Sequence, residues 1–148
     1  MSTLSNKLYV VDSNAWLALP VQQHEHHPVA RQWFGELAPG QAGMCRVVQL
    51  DVIRFMGTAR MMQGGAISCA NAWLTIRELL EDERVEFLKE PVGIDTIVPT
   101  LLHDRVPTSG LAKDAYLAAF AMASRRCLLT RDRGFQQFRG LEVEILGD

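Results

Sequence analysis

The chain has 148 residues, 48% hydrophobic and 22% charged, with a formal net charge of −2. A sequence of that length and composition is expected to fold as one globular domain, residues 1–148, around its own core. Those values exclude a disordered chain and a protein that coats nucleic acid by bulk charge.

Leu8 to Val11 is a short β-favouring run, too short for a helix and suited to a buried parallel strand. Asp12-Ser13-Asn14 follows at once, and Ala15 to Leu19 opens a helix that Pro20 ends. A second helix begins near Pro28, with Val29, Trp33, Phe34 and Leu37 at helical spacing and a stop at Pro39-Gly40. Gly43 to Arg46 reads as a short strand and Val47 to Met56 as a helix. Ser68 is the expected N-cap of a helix carrying Trp73, Ile76, Leu79 and Leu80 that ends in the charged run 81–84. Val85 to Leu88 alternates like a strand. Asp95 is expected to cap a helix through Leu102, with Pro99 tolerated in its early turns. Lys113 to Ser124 is Ala-rich and helical, Cys127 to Thr130 is another buried strand, and Val143 to Leu146 is a final one. Helices alternating with short strands predict an α/β sandwich with a mainly parallel sheet.

Ligands of such sheets bind beyond the carboxyl ends of the strands. Asp12 stands directly after the first strand and Asp132 two residues after Thr130. Asp114 lies in the first turn of the Ala-rich helix, where the helix dipole favours an anion. Each has an ordinary alternative as a cap, a first-turn acid or a turn residue. Three acids brought to one sheet edge repel one another, and an all-oxygen set of that kind suits Mg²⁺ or Mn²⁺.

The segments Val-Val-Asp-Ser-Asn-Ala-Trp-Leu-Ala-Leu at 10–19, Asp-Ala-Tyr-Leu-Ala-Ala-Phe-Ala at 114–121 and Leu-Leu-Thr-Arg-Asp-Arg-Gly-Phe at 128–135 resemble the PIN-domain family. More narrowly, they are similar to the VapC-type ribonuclease toxins of bacterial toxin–antitoxin pairs. The likeness extends to His26-His27-Pro28 and to Val-Gln-Leu-Asp-Val-Ile-Arg at 48–54. It implies a three-layer α/β sandwich and metal-assisted hydrolysis of RNA. It also implies a homodimer and a VapB-like antitoxin as partner. By that resemblance Asp12, Asp114 and Asp132 are the metal-binding, catalytic acids, Thr130 orients the last of them, and Asn14 is a polar neighbour of the first. An antitoxin would silence such a pocket most simply by inserting an arginine among the acids, delivered by a segment resting on apolar surface around Trp16 and Trp33.

The family's usual glutamate on the helix at 48–56 has no counterpart here. Gln49 aligns with it and Asp51 is the nearest acid; two residues apart on a helix, they point to nearly opposite faces. Gln49 is the one expected to face the site. Without that glutamate, a silent PIN-like module that only binds protein or RNA stands as the alternative to a nuclease. A phosphoryl-transfer domain with Asp12 as nucleophile is a further one, weakened because no Asp-x-Asp follows the first strand.

Arg125, Arg126, Arg131, Arg133 and Arg139 bracket Asp132 and read equally as an RNA-facing rim or as solvated surface. His24, His26 and His27 lack the fixed geometry of a zinc site. Trp16, Trp33 and Trp73 occupy apolar helix positions and are core or interface residues first. Cys45, Cys69 and Cys127, without C-x-x-C spacing, are expected to be buried, reduced thiols of a cytoplasmic protein. Met1 to Lys7 is polar, unlike a signal peptide, and no apolar run approaches the roughly 20 residues that span a bilayer.

Overall fold

In chain order the elements are β1 (Tyr9–Val11), α1 (Ser13–Ala18), α2 (His27–Gly35), β2 (Ala42–Cys45), α3 (Arg46–Met56) and α4 (Cys69–Glu81), then β3 (Val85–Leu88), α5 (Ile94–Leu102), α6 (Leu111–Ser124), β4 (Cys127–Thr130) and β5 (Val143–Ile145). They are seen in a computed structural model that describes residues 6–21, 24–58 and 67–148. The expectation for Met1 to Ser5 lies outside the described residues.

The strands form one sheet in the order β3-β2-β1-β4-β5, parallel throughout. β1 and β4, at its centre, are buried along their whole length, which is why both read as unbroken apolar runs. Tyr9, Val10 and Val11 pair with Cys127, Leu128 and Leu129 on one side, and Tyr9 and Val10 with Ala42 and Gly43 on the other.

From β1 the chain steps through β2 to β3 at one edge, then crosses back to β4 and β5. Parallel crossovers are right-handed, so this reversal puts the helices before β3 on one face and α5 and α6 on the other. The packing follows that division: α1 rests on α2 and α3, α3 on α4, and α5 on α6. The reversal falls between β1 and β4, and their carboxyl ends open the crevice in which α/β sheets hold ligands.

Several boundaries differ from the sequence reading. β2 ends at Cys45 and Arg46 already begins α3, with no loop between them. α5 starts from Gly93, whose φ of 109° is a left-handed turn open to glycine, and Asp95 sits inside the first turn instead of capping it. α6 starts two residues early for the same reason, from Gly110 at φ 83°, which sets Lys113 and Asp114 in its first turns. Ser68 does cap α4, accepting from the Asn71 amide at 3.1 Å. A short 3-10 turn at Arg133–Gln137 had no periodic signal.

Cys45 and Cys127 are buried free thiols, whereas Cys69 is exposed at the start of α4. Of the tryptophans, Trp16 is fully buried and Trp33 packs against the core, but Trp73 is exposed. Among the described residues no helix is long and apolar enough to cross a membrane.

Gly43, in the second strand, has no room for a side chain. A Cβ there would collide with the Leu88 side chain and stand 2.5 Å from the Tyr9 carbonyl oxygen, a backbone atom of the central strand. Gly43→Ala is therefore expected to destabilise the fold by about 1–3 kcal/mol, the usual cost of overpacking a tight core. Urea unfolding checks this, and an unchanged midpoint would show that the two strands can separate freely.

Candidate active site

The crevice between the carboxyl ends of β1 and β4 is built around one hydroxyl. Thr130, the last residue of β4, is fully buried and donates to Asp12 Oδ2 at 2.8 Å. Its oxygen accepts the Asp132 amide at 3.0 Å and the Asn14 side-chain amide at 3.3 Å. Asn14 completes the ring by accepting the Arg131 amide at 3.1 Å. Thr130 thus ties together residues that the sequence separates by more than a hundred positions. Asp12 also accepts the Ser13 amide at 2.7 Å through Oδ1. Both of its oxygens are thus held, and it is 8% exposed, which argues against an Asp12 nucleophile.

One cleft brings the other acids to Asp12. Its walls include Asp12, Asn14, Val47, Asp51, Phe55, Lys113, Asp114 and Asp132. Asp114 comes from the first turn of α6. Asp132 is fixed by accepting the Gly134 amide at 2.8 Å as the 3-10 turn begins. Asp51 reaches in from α3, 14% exposed, with Lys113 Nζ at 2.6 Å and Arg54 at 3.4 Å.

The choice on α3 is therefore the reverse of the sequence expectation. Gln49 is 1% exposed and does not line the cleft; it accepts from Arg46 at 2.6 Å and donates to the Met44 sulfur at 3.4 Å. Val48, Gln49, Val52 and Met56 are the buried residues of α3. Val47, Asp51 and Phe55, at four-residue intervals, form the stripe that faces the cleft. An uncharged amide can be buried once bonded, while an aspartate demands water or a cation. That contrast, with the apolar residues four before and four after Asp51, is the signal the sequence offered.

The electrostatics reflect the crowding. Burial first, and then the charges of Asp12 and Asp132, push the Asp114 carboxyl up to about 6. Burial raises Asp12 as well, opposed by its bonds from Thr130 and Ser13. The acids line one cleft without being drawn into a ready cage: among the described residues no three His, Cys, Asp or Glu side chains are grouped closely enough to grip an ion. Among the described residues no histidine or cysteine lines the cleft, and the donors there are hard oxygens.

The arginines near Asp132 separate in space. Arg126 lies at the opposite, amino end of the strands, bonding the Tyr9 and Gly40 carbonyls and Glu86 as a structural staple. Arg133 pairs with Asp148. Arg131 turns to His26, whose ring it contacts. The rings of His24 and His26 lie 5.6 Å apart, with the His26 amide donating to His24 Nδ1 at 3.1 Å and His26 3.2 Å from Glu25, whereas His27 bonds the Ala18 carbonyl at 2.8 Å. Trp16 is fully buried, while the large exposed apolar side chains include Leu50 on α3 and Trp73 and Leu74 on α4.

Comparison with known proteins adds independent findings. The PIN domain family model matches residues 9–141. Ribonuclease VapC41 of Mycobacterium tuberculosis is 32% identical over 145 residues, covering 94% of this chain and 99% of its own. Among solved structures, VapBC-1 from nontypeable Haemophilus influenzae superposes with a TM-score of 0.66 at 18% identity, covering 95% of this chain and 99% of that one. DNA-bound VapBC from Salmonella typhimurium gives 0.66 at 14%, covering 95% and 98%. At these identities the structures show a shared fold.

Asp114 yields a pH test in the presence of a chelator. Its carboxyl sits near 6 in the folded chain and near the ordinary value of about 3.9 when unfolded. The folded state then binds the extra proton between those values, and this residue's contribution to stability falls as pH rises through the window. Asp114→Asn removes that dependence. Its melting temperature is expected to match the unmutated protein near pH 4 and to exceed it increasingly up to about pH 6. A difference that stays flat across the range contradicts the crowding.

Proposed function

The chain belongs to the PIN-domain family, and from that premise we propose that it is an endoribonuclease acting as the toxin of a toxin–antitoxin pair. The observation that carries this reading is the meeting of Asp12, Asp51, Asp114 and Asp132 in one cleft at the switch point of the sheet. The relative named Ribonuclease VapC41, matched over nearly the whole length of both chains, supports it.

The donor set fits a hard divalent cation, Mg²⁺ or Mn²⁺, which Asp12, Asp51, Asp114 and Asp132 would hold. Once bound, such an ion supplies an activated water and charge stabilisation at the scissile phosphate. The protein's part is positional. Thr130 and the Ser13 amide fix Asp12 with one face toward the cleft. Asn14 holds the turn after β4, so that Asp132 is presented from a backbone already bonded to Thr130. Asp114, pushed up to about 6 by burial and by the charges of Asp12 and Asp132, is an acid whose proton a bound cation would displace. Val47 and Phe55 keep one wall of the cleft apolar, which strengthens electrostatic interactions within it. Asp51, which supplies on α3 the charge that Gln49 lacks, favours the nuclease over a silent module.

Partners follow the same reading: RNA as substrate, a second copy of the chain, and a VapB-like antitoxin, in the cytoplasm. Arg46 and Leu50 share a face of α3, and the Arg46 guanidinium lies over Trp73 at 5.8 Å and Phe87 at 4.9 Å. This partly exposed apolar surface on α3 and α4 is where we place the antitoxin.

With Mn²⁺ present, Asp114→Asn and Asp51→Asn should each lower RNA cleavage about 10²–10³-fold, a range seen when a charge-stabilising group is removed. Gln49→Leu, which keeps bulk in the buried position, should retain most activity. Full cleavage by purified Asp114→Asn would defeat the nuclease assignment, and loss with Gln49→Leu but not Asp51→Asn would return the site to the glutamine.

A further inference from the structure

A lysine stands among the acids. Lys113 lines the cleft with Asp12, Asp51, Asp114 and Asp132, and its ammonium is 2.6 Å from Asp51 Oδ2 with the side chain 38% exposed. It comes from the first turn of α6, immediately before Asp114. A cation at a helix N-terminus opposes the helix dipole, so its favourable interactions are with the acids of the cleft, the direct ion pair being the one to Asp51 on α3. α3 and α6 are far apart in sequence, and this ion pair connects them at the mouth of the site.

We propose that Lys113 is a resident counter-ion: it occupies Asp51, and must give Asp51 up before that carboxylate can join the others around a divalent cation. Lys113 is in this sense a positioning residue that sets how tightly the site takes metal. Asp51 is bound to Lys113 and Arg54, Asp12 to Thr130 and Ser13, and Asp132 to the Gly134 amide. These engagements explain why the acids line the walls without converging. Of the three, the Asp51 pair is the one made to a flexible, charged side chain rather than to the backbone or a buried hydroxyl, and so the one a competing cation can exchange.

The idea rests on the metal-site reading above, and the test separates the two. Mn²⁺ is titrated calorimetrically into the intact protein and into Lys113→Met, Asp51→Asn and the double variant. Methionine keeps the stem of the lysine and removes its charge. Lys113→Met is expected to bind Mn²⁺ roughly three- to tenfold more tightly, the equivalent of releasing one partly exposed ion pair. In the Asp51→Asn background the same change should alter affinity less than twofold. Thermal melts in chelator give a second readout: Lys113→Met lowers the melting temperature of the unmutated protein but not that of Asp51→Asn. Unchanged or weaker Mn²⁺ binding in Lys113→Met overturns the proposal, as does equal tightening in both backgrounds, which would make Lys113 only part of the general field. If Lys113→Met does not fold, Lys113→Gln takes its place. An unmutated protein that binds no Mn²⁺ defeats the metal-site reading itself, whereas equal affinities with and without the lysine defeat this inference alone.

Discussion

The hydrogen bond from Thr130 to Asp12 joins the carboxyl ends of the two central strands, and much of the site depends on it. Parallel strands register through their backbones, but nothing in the ladder fixes the side chains just beyond it. Here the hydroxyl is fully buried, donates to one acid and accepts the amide of another, so the placement of Asp12 and the path of the chain toward Asp132 are set together. The bond favours the ionised form of Asp12 and so opposes the burial that raises its carboxyl. Asn14 extends the arrangement sideways to Arg131. The site is therefore anchored at the sheet and variable at its rim, where α3 and α6 bring their acids on helices.

The rim carries the electrostatic tension. Asp114 is pushed toward neutrality by burial and by its neighbours, while Lys113 beside it draws the other way. A cleft of acids that were all firmly neutralised by protein groups would have little attraction left for a cation. One with none neutralised would strain the fold. The arrangement lies between the two, with two acids fastened to backbone and hydroxyl donors, one to side-chain cations and one crowded.

Much of this was legible in the amino-acid order. The strands were visible because a sheet covered on both faces needs uninterrupted apolar residues, as in Leu128-Leu129 and Val10-Val11. Asp12 and Asp132 could be found because they follow such strands directly. The phase of α3 was less legible. Its core stripe and its cleft stripe are both apolar, through Val48, Val52 and Met56 on one and Val47 and Phe55 on the other. Gln49 matches a glutamate in side-chain length and so reads as the cleft residue, although an uncharged glutamine is the one that tolerates burial. The roles of the arginines were not legible for a different reason: residues 125 to 139 run from the amino end of β4 to beyond its carboxyl end, so neighbours in sequence serve opposite ends of the sheet. The Lys113 ion pair has no local sequence signal because its partner is 62 positions earlier, on another helix.

The separation between Asp12 and Thr130, 118 positions, also fixes when in its own synthesis the protein can become dangerous. β1 is made well before its neighbour β4, with α1 to α6 between them. Until then the first strand has an open edge, and its acid lacks the hydroxyl and the turn that organise the crevice. Such long-range parallel pairing forms slowly. A nascent or truncated chain therefore exposes an aggregation-prone edge before it holds an assembled cleft, and a partner that must restrain the finished protein gains time from the topology itself.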